Sequence, residues 1–156
     1  MKRIVTTLII LCAAFLSLKA QYKESEALFG TQLTYEISNS KGEPWTAEMF
    51  LCKSEQGYYN ASKYSLAEDR SESSFLVFYM GGDNEIVDTI NQLNELIVNS
   101  TSGFETEIKD AKGTEFILSA PKDGNRIGTY LILQKKGEED WGVISKQHLK
   151  NMLRMI

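Results

Sequence analysis

The sequence predicts a single α+β domain built on a mainly antiparallel sheet of about seven or eight strands, with two helices on one face. Three observations predict it. Short segments with apolar residues at every second position recur between turn signals. Two other segments carry an apolar stripe at helical spacing, Ile86, Ile90, Leu93 and Ile97 in one and Leu149, Met152, Leu153 and Ile156 in the other. The segments run as four strands and a helix, twice, the order that a duplicated four-strand-plus-helix unit would give, although the two halves share no residue-level similarity.

The first strand is set by Phe29, Leu33, Tyr35 and Ile37 on odd positions with Gln32, Thr34 and Glu36 between them, and Asn39-Ser40-Lys41-Gly42 ends it. From Trp45 to Lys53 the odd positions Trp45, Ala47, Met49 and Leu51 are apolar, and so are Phe50 and Cys52 opposite, which points to a strand covered on both sides. Ser54-Glu55-Gln56-Gly57 turns it into a Tyr58 to Leu66 strand, with glycine where a positive φ is needed. Leu66 to Ser74 is a polar loop, and Phe75 to Met80 is a continuous apolar run of central-strand length. Gly81-Gly82 breaks that run, and Asp83 is placed to cap the helix bearing the Ile86 to Ile97 stripe. Asn99 to Gly103 stops the helix. Phe104 to Lys109 and Thr114 to Ser119 form a hairpin around Asp110-Ala111-Lys112-Gly113, and Gly128 to Gln134 and Trp141 to Ile144 supply two more strands. Ser145 caps the final helix.

Residues 1–20 stand apart from this pattern. Lys2 and Arg3 precede fifteen uncharged, mostly apolar residues from Ile4 to Leu18, and Ala20 offers the small residue of a cleavage site. This is the form of a secretory signal peptide, too short to span a bilayer as a helix, for which ~20 apolar residues are needed. Cys12 follows Ile9-Ile10-Leu11 and lacks the small residue that lipidation requires directly before it. The expectation is a single domain over residues 21–156 that is secreted or periplasmic and keeps no stable membrane anchor after cleavage.

Cleavage removes three of the seventeen basic residues and none of the twenty-one acids, leaving a net charge of −7. Nucleic acid is excluded as a partner at that charge, because phosphate binding needs a basic footprint. Cys52 is then the lone cysteine, so no intrachain disulfide forms, and its apolar neighbours Phe50 and Leu51 place it in the interior.

Residues that usually carry chemistry are scarce. His148 is the one histidine, so multi-histidine metal sites are ruled out, and a Cys52–His148 nucleophile and base lacks any supporting motif. His148 also falls in the first turn of the last helix, where the dipole opposes an imidazolium, and it reads there as a partly exposed residue without a role. Gly81-Gly82 precedes a helix, but Asp83 and Glu85 would repel a phosphate. The acidic groups at Glu68-Asp69, Asp83-Glu85-Asp88 and Glu138-Glu139-Asp140 lack metal-loop spacing and read as solvated charge, as do Lys146, Lys150 and Arg154 on the last helix. Neither a cofactor nor a metal is expected. Asn60-Ala61-Ser62 and Asn99-Ser100-Thr101 match the glycosylation acceptor pattern near loops or strand edges.

What remains is the aromatic segment. Trp45, Tyr58, Tyr59 and Tyr64 are the candidate ligand-binding residues, because rings exposed on a sheet stack on sugars or anchor protein partners. Tyr58 and Tyr59 are adjacent and point to opposite faces of a strand. The reading is an exported, non-catalytic binding module for a protein or glycan, with a carboxylate-based secreted hydrolase as the alternative.

Overall fold

A computed structural model describes residues 26–38, 44–66 and 73–156, with side chains over 46–65 and 75–156. The expected export signal of residues 1–20, the expected turn at Asn39–Gly42 and the centre of the expected Leu66–Ser74 loop lie outside the described residues. Within them the chain runs β1 (Glu26–Ser38), β2 (Pro44–Ser54), β3 (Gly57–Leu66), β4 (Ser73–Gly81), α1 (Ile86–Asn99), β5 (Glu105–Lys109), β6 (Glu115–Ser119), β7 (Tyr130–Lys135), β8 (Trp141–Ser145) and α2 (Lys146–Met155). This is an α+β architecture, and the order of four strands and a helix occurs twice.

The strands do not form the single sheet expected from the sequence. β1 to β4 make one four-stranded antiparallel meander and β5 to β8 a second. Two helices cannot cover a whole face of an eight-stranded sheet, whereas two four-stranded sheets cover each other and leave the helices to close the remaining sides of the core. β8 lies across the inner face of the first sheet, touching β2, β3 and β4.

One core joins both sheets and both helices. Leu76, Phe78 and Met80 of β4 meet Ile86, Ile90 and Ile97 of α1, Phe116 and Leu118 of β6, and Leu149 and Met152 of α2. The rings of Phe78 and Phe116 pack edge-on at 5.1 Å between centroids and tie the two sheets together. Ile86, Ile90 and Ile97 are 0% exposed, and burial of each such side chain stabilises the fold by roughly 1.5–3 kcal/mol. A smaller cluster of Ala47, Met49, Tyr64, Tyr130 and Val143 fills the space between β2–β3 and β7–β8.

Local chemistry explains the joints. Gly57 sits in the β2–β3 hairpin at φ +115°, and a Cβ there would lie 2.6 Å from the Gly81 carbonyl oxygen, so both conformation and contact demand glycine. The cap of α1 is Glu85, not Asp83. The N–H groups of Glu85 and Ile86 both donate to Gly82 O at 3.0 Å, forming a turn that delays the helix. The Asp83 carboxylate is drawn instead to Lys53 Nζ at 3.1 Å, an ion pair that holds its pKa below the usual range.

Ser145 caps α2 as the sequence indicates, its Oγ accepting from the N–H of His148 at 3.0 Å. The stripe that α2 buries is rotated from the expected one. His148, Leu149 and Met152 are buried, whereas Leu153 is 42% and Ile156 45% exposed. His148 flanks Leu149 and Met152 on the side opposite Leu153, and the helix turns that side inward, where the imidazole meets Asn60.

Candidate functional site

β3 alternates strictly between its two faces. Tyr58 and Tyr64 turn inward and are each 6% exposed. Tyr64 donates to Asp140 Oδ1 at 3.2 Å and packs its ring 4.6 Å from that of Trp141. The hydroxyl of Tyr58 accepts from Lys53 Nζ at 3.1 Å. Both rings are structural. Tyr59 points to the opposite face, half-buried, and the side chain of Trp45 lies outside the described residues.

That outer face is the surface the sequence anticipated in part. Strand register sets Cys52 beside Tyr59 and Tyr59 beside Tyr79, Phe50 beside Ala61 and Ala61 beside Val77, and Glu48 beside Lys63 and Lys63 beside Phe75. Phe75 is 40% and Val77 37% exposed. Phe50, Tyr59 and Tyr79 are half-buried beside them. The Tyr59 and Tyr79 rings lie 5.7 Å apart. Lys112 Nζ sits 3.5 Å over the Tyr79 ring, and it also donates to Gln56 Oε1. Scattered exposed apolar residues are ordinary, but here they form one contiguous patch.

Round the edge of β4 the surface runs into a pocket of about 170 Å³ lined by Phe78, Leu93, Leu96, Ile108 and Asp110. Asp110 is not free for chemistry. Its carboxylate accepts from the N–H groups of Lys112 and Thr114 at 2.9 Å and of Tyr79 at 3.3 Å, fixing the β5–β6 turn against β4. Among the described residues no group of three or more His, Cys, Asp or Glu side chains is placed to hold a metal.

The Cys52–His148 pairing is ruled out by position. Cys52 is 4% exposed, as its neighbours implied, and lies in the outer-face row with Tyr59, with burial pushing its thiol pKa up. His148 lies on the inner side, 0% exposed rather than partly exposed, with burial pushing its pKa down to about 4. Its Nε2 is 3.0 Å from Asn60 Oδ1. Asn60 Nδ2 donates to Ser62 Oγ at 3.2 Å, and Ser62 Oγ donates to Val143 O at 3.1 Å and accepts from Val143 N–H at 3.3 Å. This chain of polar groups is closed to solvent and serves the fold.

No family model matches the chain, and no curated protein or solved structure matches it. Among the described residues no helix is long and apolar enough to cross a membrane.

The first acceptor asparagine is buried. Asn60 is 1% exposed in a central strand, so a glycan cannot attach in the folded protein, whereas Asn99 is exposed at the end of α1. Sequence reasoning missed Phe75, Val77 and Tyr79, because an unbroken apolar run reads as a strand buried on both faces. β4 is instead an edge strand with one face outward.

Proposed function

We propose that the chain is an exported, non-catalytic binding module that engages a protein ligand through the outer face of its first sheet. The observation that carries this reading is the contiguous patch of Phe50, Tyr59, Phe75, Val77 and Tyr79 on the side of the sheet turned away from the core. Rings of moderate exposure on a rigid sheet lose little conformational entropy on binding, which suits them as anchors. A protein is favoured over a sugar because the most exposed groups, Phe75 and Val77, offer no hydrogen bond to a sugar hydroxyl. Export rests on residues 1–20, and with them a secreted or periplasmic location.

The hydrolase alternative draws no support from the pocket, whose carboxylate is held by three backbone N–H groups. The test is capture from the exporting organism's envelope and medium by the folded protein and by a Tyr59→Ser, Phe75→Ser double variant, alongside a glycan array. Saturable binding to a protein, lost in the variant with its unfolding transition preserved, is the expected result. Binding to sugars alone, or turnover of a substrate abolished by removing one acidic side chain, would overturn the reading.

A further inference from the structure

We propose that the cleft between the β4 edge of the first sheet and the β5 edge of the second takes up an extended segment of a partner protein as an added strand. This rests on the reading of the chain as a binding module and names how the partner is held.

β4 and β5 are each the outermost strand of their sheet. Tyr79 N–H donates to Asp110 Oδ2 at 3.3 Å and Tyr79 O accepts from Ala111 N–H at 3.0 Å, so the backbone groups of Tyr79 point away from β3. The two-residue period of a strand turns the N–H and C=O of Val77 to the same edge, where no described group bonds them. On the other side, Asp110 N–H donates to Thr114 O and Ala120 N–H to Phe104 O. The same period then directs the backbone groups of Glu105, Glu107 and Lys109 away from β6, onto the open edge of β5.

Two features make this cleft a seat rather than a gap. The pocket of about 170 Å³, with Phe78, Leu93, Leu96 and Ile108 in its lining, opens beside the β4 edge. A strand laid there would send one apolar side chain into the pocket and its neighbour onto the outer face beside Val77, the alternation by which strand addition selects its ligand. Edges are ordinarily guarded by lysine, proline or a bulge; Ser73–Gly81 contains neither a charge nor a proline, and its one irregularity lies at Met80, past Tyr79, leaving the edge from Phe75 to Tyr79 regular.

The end of the cleft nearest Tyr79 is closed by Asp110 and Ala111; it carries Lys109 in the pocket lining, loosely paired with Glu115 at 3.7 Å, and Lys112 over the Tyr79 ring, while the Asp110 carboxylate there is already held by three backbone N–H groups. The occupant is therefore an extended, uncharged segment, apolar at alternate positions, with an acidic residue or a carboxyl terminus at that end.

The probe is a displayed library of random peptides about eight residues long, enough to run the edge at ~3.3 Å per residue. Selection on the intact protein should enrich peptides of the stated pattern. N-methylation of alternate peptide bonds in a selected peptide should weaken it at least about tenfold, as should Val77→Pro, which removes the outward N–H of an edge residue. If Val77→Pro fails to fold, Val77→Lys serves in its place.

Absence of enrichment, or peptides indifferent to N-methylation and to both Val77 variants, would overturn the proposal. So would concentration-dependent dimerisation of the wild-type chain that Val77→Pro abolishes, which would make a second copy the occupant. Should the Tyr59, Phe75 variant lose its ligand while no peptide is selected, strand addition fails and the binding reading stands; selected peptides that bind this variant unchanged show the converse.

Discussion

His148 Nε2 and Asn60 Oδ1 lie 3.0 Å apart with essentially no solvent on either side, at 0% and 1% exposure. With Asn60 Nδ2 donating to Ser62, the Oδ1 that faces the ring accepts, and the neutral imidazole carries its proton on Nε2. The contact ties α2 to the inner face of β3, and the Ser62 hydroxyl continues it to the edge of β8. A polar group left without its partner at this depth costs about 1–3 kcal/mol. The chain of bonds therefore fixes how the helix and the two sheets register.

Stability should fall as the pH drops from about 6.5 toward 4. An unfolded histidine titrates near 6.5, whereas His148 in the fold is pushed down to about 4. Below 6.5 the unfolded chain takes up a proton that the native one refuses, so stability is complete above that pH and lost on descent through the window. Between pH 7.5 and 5 the loss amounts to about 2 kcal/mol for a native pKa near 4. Urea midpoints of the wild type and of His148→Gln at both pH values check this. Equal losses in the two proteins would remove His148 as the cause.

Gly142→Ala should destabilise by about 1–3 kcal/mol. A Cβ at position 142 would stand 2.6 Å from Ser62 Cβ and 2.8 Å from its Oγ, closer than such atoms pack. The approach exists because Ser62 must reach the backbone of Val143. Adding Ser62→Ala to Gly142→Ala should give no rescue, since the nearest atom is the Cβ that alanine keeps. Thermal melts of the two single variants and the double one decide it, and recovery in the double variant would contradict the packing argument.

Each strand and helix was legible because hydrophobic periodicity is a local signal, and the observed elements begin and end within a few residues of those it marks. The partition into two sheets was not. Whether β5 pairs with β4 depends on where α1 delivers the chain, and the Asp110 turn that meets Tyr79 from 31 residues away leaves no trace in local pattern. On α2, the sets 148, 149, 152 and 149, 152, 153, 156 both fit a helical stripe, and counting only apolar residues selects the second. β3 held the missing clue: its even positions Tyr58, Asn60, Ser62 and Tyr64 place two polar residues on the inward face. Buried polar groups need partners, and a lone histidine on an otherwise apolar stripe was available to supply one.

Cys52 should resist modification in the folded protein. At 4% exposure, and with burial raising its pKa, little thiolate is present or reachable at neutral pH. Reaction with an aromatic disulfide reagent should be slow in buffer and become rapid when urea unfolds the chain. Fast labelling under native conditions would show that the outer face opens at β2.

Tyr58→Ala and Tyr59→Ala should separate folding from binding, although the two residues are neighbours in sequence. Tyr58 is 6% exposed within the main core, and its loss should cost about 3 kcal/mol, as for other large-to-small changes at buried aromatic positions. It also removes the hydroxyl that Lys53 donates to, beside the Lys53–Asp83 ion pair at the mouth of the Gly81–Glu85 turn. Tyr59 is half-buried on the outer face and meets Tyr79 at 5.7 Å, so its removal should cost less than half as much. Ligand capture should show the opposite order, with Tyr59→Ala losing binding while still folded at temperatures where Tyr58→Ala is not. Urea midpoints and binding isotherms on the same two proteins test both halves, and equal stability losses would mean that the two faces of β3 are not the inside and outside described.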